Sequence, residues 1–427
     1  MRFQRVDDWL RWQESLHPHE IELGLDRVKQ AYDGLGINFS TPHCRVITVA
    51  GTNGKGSCVA YLSHLLQVLG MRVGSYTSPH LLRYHERIQV NGHCISDADL
   101  LFAFDAVDRA RGDISLTYFE FGTLAAFAHF ARQNCDVWVL EVGLGGRLDA
   151  VNIIDPDIAL ISRIGLDHMD WLGDTREQIA VEKAGILRRN RPFVCAEPDP
   201  PASLRQVAEQ LGVTAYYVGE DFFVDDATDA NHWQWRNAQY CLSSLPLPAM
   251  PGHFQRINLA AVLQCLALFA PQALDPDLLT REIPRVTLPA RAQVVGESPL
   301  RLLDVAHNEQ AVEALAQVVR EHQKRYPGQV FAVFSLLARK DVNGVIAAIA
   351  PLVDNWLLAP IAGQASIDPQ RVQSLIQSYA EKQGKTVNCN IGVSLREQWQ
   401  LALSQARAND IVIAFGSFHT VAEILND

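Results

Sequence analysis

The chain holds 427 residues, 48% hydrophobic and 20% charged, enough for two or three domains with cores of their own. Its formal net charge of −11 argues against a general nucleic-acid or membrane-surface binder. Its eight cysteines are scattered without a C-x-x-C pair, which argues against a disulfide framework or a thiolate zinc site and for reduced thiols in a cytoplasmic protein.

The first thirteen residues carry Arg2, Arg5, Asp7, Asp8 and Arg11, too much charge for the apolar core of a signal peptide. No uncharged apolar run reaches membrane-spanning length. Apolar periodicity predicts helices over 6–15 and 25–35, with Gly34 and Gly36 ending the second.

Next comes R-V-I-T-V-A-G-T-N-G-K-G-S, starting at Arg45. Its apolar, partly β-branched run over 46–50 predicts a buried strand, and a helix is expected over 58–69. Between them lie Gly51, Gly54, Lys55, Gly56 and Ser57. Strand, glycine loop and helix make a phosphate cradle: backbone amides turn inward, and the helix start adds positive charge. Lys55 brings a full charge, and Ser57 a hydroxyl suited to Mg²⁺. The spacing departs from G-x-x-x-x-G-K-[ST]: Val49 stands where the first glycine belongs, and Gly56 where the hydroxyl belongs. A plain glycine-rich turn is the alternative.

Further strands are expected over 72–76, 137–142, 158–164 and 192–195, with helices over 97–110, 122–132 and 176–187. Strands alternating with helices imply a mostly parallel sheet covered on both faces. Residues 221–247, with Trp233 and Trp235, break that rhythm and read as an antiparallel excursion. A helix follows over 257–269. The stretch 281–299 carries Pro284, Pro289, Gly296 and Pro299 and is the best linker candidate. Beyond it, strands over 301–305, 330–334, 356–359, 387–391 and 411–415 form a second α/β series. The expected division is a P-loop-type domain over 1–289, a linker over 290–298 and a smaller Rossmann-like domain over 299–427.

Ligands of parallel sheets sit at the carboxyl ends of strands. Four predicted ends carry polar or glycine-rich groups: the Gly51 loop, Ser78 to His80, Glu141 to Arg147, and Asp167 with His168. Each has a bland reading. Ser78 before Pro79 suits a turn, Glu141 suits a buried partner of Arg147, and Arg147 also suits a pair with Asp149. Oxygen donors and one imidazole can hold a divalent cation.

Eight motifs occur in order: G-T-N-G-K-G-S at Gly51, S-P-H at Ser78, T-Y-F-E-F-G at Thr117, E-V-G-L-G-G-R-L-D-A at Glu141, L-D-H at Leu166, E-K-A-G-I at Glu182, D-V-A-H-N at Asp304 and G-S-F-H-T at Gly416. Together they resemble the dihydrofolate synthase/folylpolyglutamate synthase family of the Mur ligase superfamily, over nearly the whole chain.

The resemblance implies an ATP-dependent amide ligase. ATP activates a pterin-linked carboxylate as an acyl phosphate, and L-glutamate attacks it. Substrates would be dihydropteroate, reduced folates and L-glutamate. A monomer is expected. By the same resemblance Thr52, Asn53, Gly54, Lys55, Gly56 and Ser57 form the ATP phosphate loop, with Asn258, Arg291 and Asp304 as further ATP contacts. Ser57, Ser78, Glu141 and His168 would hold Mg²⁺ together with Lys183, carboxylated on its amine; without the resemblance, Lys183 reads as a helix-surface lysine. Glu22, Leu23, Gly24, Leu25, Thr117, Tyr118, Phe119, Glu120, Leu148, Asp149 and Ala150 would line the pterin site. Phe119 and Phe121 are physically suited to stacking on flat rings, or to a core.

One departure stands out: L-P-A-R-A-Q surrounds Arg291 where the family pattern has Gly before the Arg and an aromatic after it. Ser417 reads as a helix cap or a glutamate-side group, with His307 and His419 at neighbouring strand ends. Two other functions are open to these residues: a cell-wall ligase of the Mur type, though no domain for a nucleotide sugar is evident, and a nucleotide-regulated binding protein.

Overall fold

The computed structural model describes residues 1–37, 44–226 and 231–425. It divides into two compact units. The first comprises Met1–Gly165, Met169–Pro248 and Arg256–Val286, and the second Leu166–His168, Ala249–Gln255 and Thr287–Asp427.

The first unit is built on an eight-stranded sheet. Its strands are β1 (Arg45–Ala50), β2 (Val73–Tyr76), β3 (Ile88–Val90), β4 (His93–Cys94), β5 (Val137–Glu141), β6 (Ile158–Ile161), β7 (Pro192–Cys195) and β8 (Thr214–Tyr217). They lie in the order β4-β3-β2-β5-β1-β6-β7-β8. From β2 to β8 every pairing is parallel; β3 and β4 add an antiparallel edge. The central strands are buried at nearly every position, which is why they read as unbroken apolar runs in sequence. The Lys55–Val68 helix packs on β1, β2 and β5, and the Tyr118–Arg132 helix on β2. The aromatic core on this side joins Trp9, Phe104, Phe121, Phe127 and Trp138.

Two helices begin earlier than periodicity implied. The helix expected from residue 58 starts at Lys55, because Gly54 takes φ +92° and caps it, placing Lys55, Gly56 and Ser57 in its first turn. The helix expected from residue 122 starts at Tyr118. Thr117 accepts the Glu120 N–H at 3.2 Å and Glu120 accepts the Thr117 N–H at 2.7 Å, a reciprocal cap. Strands β3, β4 and β8 and the helix Ala202–Leu211 had no expected counterpart. The three strands are short or edge elements with weak apolar signals; the helix is amphipathic, with Leu204 and Ala208 buried, and was legible but not read.

The antiparallel excursion is a separate sheet of β9 (Phe222–Asp226), β10 (His232–Asn237) and β11 (Cys241–Pro246). Trp233 and Trp235 alternate onto its buried face. Residues 227–230 of the expected excursion lie outside the described residues.

The second unit carries six strands, β12 (Gln293–Glu297), β13 (Leu300–Leu303), β14 (Val330–Phe334), β15 (Asn355–Leu358), β16 (Asn388–Ile391) and β17 (Ile411–Phe415), in the order β12-β13-β17-β14-β15-β16. All pairings are parallel except β12 with β13. The stretch expected as linker, 290–298, therefore contains a strand. It escaped notice because β12 is an exposed edge strand broken by Gly296, with no apolar alternation to mark it.

Candidate functional site

The register of the first sheet sets the site. Val49 of β1 pairs with Glu141, the last residue of β5, while Tyr76 of β2 pairs with Leu140. The carboxyl ends of β2, β5 and β1 thus lie side by side, and the phosphate loop, Ser78 and Glu141 emerge along one edge.

The loop is held from two sides. The Thr52 N–H donates to the Arg163 carbonyl at 2.6 Å, and the Thr52 hydroxyl bonds the Gly165 carbonyl at 3.0 Å. Ser162 Oγ donates to the Asn53 carbonyl at 2.7 Å. Behind Gly54 stands Asn258, 1% exposed; a Cβ on Gly54 would come 2.6 Å from its Oδ1. Asn258, an expected ATP contact, therefore supports the loop from the Arg256–Val286 segment. Lys55 folds back over the loop, its Nζ donating to the carbonyls of Gly51 (3.0 Å) and Thr52 (3.3 Å). Helix-start amides and an ammonium converge there, a geometry that suits an anion.

Glu141 is 5% exposed and accepts the Ser78 N–H at 3.3 Å. It is not the partner of Arg147. Arg147 instead binds Glu182, with Nη2 at 2.8 Å and Nε at 3.1 Å from Oε1, and neither does it pair with Asp149. Asp149 caps the turn Ala150–Ile153 and accepts the N–H groups of Leu144 (2.8 Å) and Val151 (3.0 Å). Burial pushes its carboxyl up to about 6, against the pull of those amides and of Lys55.

The glycine loop 143–146 packs on the end of the Arg176–Ala184 helix. The Arg147 N–H donates to the Glu182 carbonyl at 2.8 Å. A Cβ on Gly185 would lie 2.3 Å from the Arg147 Cα. Lys183, in this last turn, is 3% exposed, so the surface-lysine reading is wrong: the helix buries this face against the glycine loop.

Two expected pterin segments meet through an arginine that the sequence did not mark. Arg27 binds both Glu22 and Glu120, the latter at 3.0 Å. Glu22 also meets His17 Nε2 at 3.0 Å. Phe119 is half-buried, its ring 5.9 Å from that of Tyr76 and directly against Gly143. Phe121 is fully buried among Trp12, Phe104 and Trp9, so it is core and not a stacking platform. Leu148 is half-buried and Ala150 buried beside it.

In the second unit, Asp304 accepts the N–H groups of Ala292 and Ala306, each at 2.6 Å. Burial raises its carboxyl, with Arg291 pulling the other way. Ala290 and Ala292, on either side of Arg291, have φ of +54° and +45°. The backbone is left-handed there, which explains a glycine preference; here alanine occupies both positions at a steric cost. The Arg291 guanidinium lies 5.2 Å from the Phe418 ring. Ser417 is a cap: its Oγ accepts the Thr420 N–H at 2.9 Å. Burial lowers the His419 imidazole.

Asp167 is the most strongly held carboxylate of this unit. It receives Lys340 Nζ at 2.5 Å, Asn308 Nδ2 at 3.2 Å and the His168 N–H at 2.8 Å. Burial alone would raise it, but the His307 contact and the Lys340 charge hold it well below the usual carboxylate range. His168 adopts φ +51° beside it. Lys340 had no sequence signal; only the fold brings it to Asp167.

Among the described residues no group of three or more His, Cys, Asp or Glu side chains could hold a metal ion. Along the sheet edge of the first unit stand the buried carboxylate of Glu141 and the hydroxyls of Ser57 and Ser78. Hard oxygen donors that few in number suit a cation sharing its shell with phosphates, as Mg²⁺ does. No helix among these residues is long and apolar enough to cross a membrane.

Residues 49–266 match the Mur ligase middle domain, and residues 290–418 the Mur ligase, glutamate ligase domain. The chain is similar to the dihydrofolate synthase/folylpolyglutamate synthase of Escherichia coli K12, 39% identical over 417 residues and covering 98% of this chain and 94% of that protein. It is 36% identical to the Haemophilus influenzae protein of the same name, covering 97% and 96%. Among solved structures it resembles E. coli FolC in complex with DHPP and ADP, with TM-score 0.89, 38% identity, and coverage of 99% and 97%. It also resembles the Yersinia pestis CO92 bifunctional folylpolyglutamate synthase/dihydrofolate synthase, with TM-score 0.86, 40% identity, and coverage of 99% and 98%.

Proposed function

The chain belongs to the dihydrofolate synthase/folylpolyglutamate synthase family, built of Mur ligase domains, and from that premise we propose how its own residues perform an ATP-dependent ligation. It adds L-glutamate to dihydropteroate, forming dihydrofolate, and to the glutamate tail of reduced folates. The observation that carries this reading is the shared sheet edge of the first unit, where an ammonium-bearing phosphate loop stands beside a buried carboxylate.

Asn53, Gly54, Gly56 and Ser57 hold the ATP phosphates through backbone N–H groups, Thr52 shapes the loop through its own bonds to Arg163 and Gly165, and Lys55 leaves its two carbonyls to neutralise the phosphates. Asn258 backs the loop. Arg291 and Asp304 contact the nucleotide, the rigid turn at Ala290–Ala292 aiming the guanidinium. Phe119 and Tyr118 line the pterin site with Leu148, Asp149 and Ala150. Glu22, Leu23, Gly24 and Leu25 close it, tied through Arg27 to Glu120. Asp149, its carboxyl raised by burial to about 6, can accept from a ring amino group and, when protonated, donate to a ring nitrogen.

Ser57, Ser78, Glu141 and His168 hold Mg²⁺, with Lys183 carboxylated on its buried amine as a further oxygen donor. A bound cation supplies positive charge against the phosphates as the substrate carboxylate becomes an acyl phosphate. The domain over 1–289 serves ATP and the pterin, that over 299–427 serves glutamate, and ligation requires both. The chain acts as a monomer in the cytoplasm.

The test is ATP turnover by purified protein, assayed with dihydropteroate and with tetrahydrofolate separately. Turnover must depend on both the pterin acceptor and glutamate. ADP release without either would support a nucleotide switch instead.

A further inference from the structure

Two arginines share one buried carboxylate on the β6 and β7 side of the first sheet. Glu197 follows β7 and is 2% exposed. It accepts the Ile164 N–H at 2.8 Å and the Asp199 N–H at 3.2 Å, and it meets Arg163 Nε at 3.2 Å and Arg176 Nη2 at 3.5 Å. Four donors divide this one negative charge, so neither guanidinium has a counter-ion to itself.

The two arginines are committed differently. Arg176 Nε donates to the Ile164 carbonyl at 3.1 Å, Nη1 to Asp199 Oδ2 at 3.0 Å and Nη2 to the Asp199 carbonyl at 2.6 Å. Each of its guanidinium nitrogens thus bonds the fold. Arg163 is held by Nε alone. Its Nη1 and Nη2 make no hydrogen bond to another described residue, and its side chain is 30% exposed. A fork oriented by one nitrogen and open at the other two suits an oxyanion.

Its place in the fold indicates which oxyanion. Arg163 lies just past β6, the strand beside β1, and its backbone pairs with the phosphate loop. The Arg163 N–H donates to the Asn53 carbonyl at 3.3 Å, and its own carbonyl accepts the Thr52 N–H at 2.6 Å. The ligation scheme above gives this guanidinium no part.

We propose that Arg163 is a second cation of the nucleotide site: Nη1 and Nη2 bind the ATP phosphates from the β6 side while Nε stays on Glu197. The inference rests on reading the Gly51 loop as the ATP phosphate loop. A polyphosphate presents more anionic oxygens than Lys55 and the helix-start amides cover, and a planar fork takes two of them at once.

Calorimetric binding of ADP and ATP to the whole protein tests this without turnover. Arg163→Gln should raise both Kd values about tenfold, the loss expected of one charge-assisted contact, with the melting temperature of the free protein unchanged. Added salt should weaken binding less steeply in Arg163→Gln than in wild type, because one ionic contact is gone. Arg163→Lys keeps the charge but not the fork, and its Kd should stand only about threefold above wild type. In ligation assays KM for ATP should rise, with KM for the pterin substrate within about twofold. Wild-type affinity for both nucleotides in Arg163→Gln overturns the proposal, as does equal weakening by Gln and Lys with the wild-type salt dependence. If Arg163→Gln does not fold, the affinity and salt dependence of Arg163→Lys decide. Wild-type protein that binds both nucleotides yet does not ligate refutes the ligase reading alone.

Discussion

Arg147 Nη2 lies 2.8 Å from Glu182 Oε1, joining the glycine loop after β5 to the helix that carries Lys183. The pair is partly exposed, at 53% and 19%, so its own contribution is small, under about 1 kcal/mol. What holds the two segments together is close backbone approach at Gly185. Glu182→Gln should therefore lower stability by less than about 1 kcal/mol, and Gly185→Ala by about 1–3 kcal/mol or more, because its methyl meets the Arg147 backbone. Urea unfolding of both variants checks the order; a larger loss in Glu182→Gln would show that the ion pair dominates.

Among the described residues the Lys55 ammonium hydrogen-bonds two carbonyls of its own loop, so removing it should leave the fold intact. It should still remove a charge facing the ATP phosphates. Lys55→Ala should cut ligation by at least ~100-fold with little change in melting temperature. Unchanged product formation in the folded variant sinks the phosphate role.

A bare ammonium beside a divalent cation repels it, whereas a carbamate offers two anionic oxygens. Lys183→Ala should lose most activity, and short carboxylic acids or bicarbonate should restore part of it. Lys183→Arg should not recover, since it keeps the wrong sign of charge. Electron density or a mass shift in active protein provides the direct check; a bare amine in active, metal-loaded protein overturns the carbamate.

Asp149 gives stability an uncommon pH dependence. Its folded value, about 6, stands above the ordinary unfolded value, so the folded state binds the proton more tightly. Its contribution is complete below about pH 4 and is lost as pH rises through 6, by roughly 3 kcal/mol. Asp149→Asn should remove that decline. Asp167 acts oppositely: held well below the usual range, it stabilises above about pH 4 and loses this as pH falls. Urea midpoints from pH 4 to 7 for wild type and Asp149→Asn test the sign; parallel curves would refute it.

The sequence alone determined the strand and helix rhythm, the phosphate loop and the order of motifs. Buried parallel strands are unbroken apolar runs, and a cradle needs glycines and a lysine at fixed short spacing, so both are local signals. Edge strands such as β12 and β4 bury little and left no such trace. What only the tertiary structure decided are the pairings between residues far apart in the chain. Arg147 had two acidic candidates in sequence, Glu141 and Asp149, and took neither but Glu182, because glycines at 146 and 185 bring those backbones together. Phe119 and Phe121 are two residues apart on one helix, yet one borders the glycine loop and the other is core. Arg27 and Lys340 look like surface cations in sequence; burial and a partner supplied by the fold give each its role. Composition and spacing report what a segment can do, while long-range contact selects among the partners it could have.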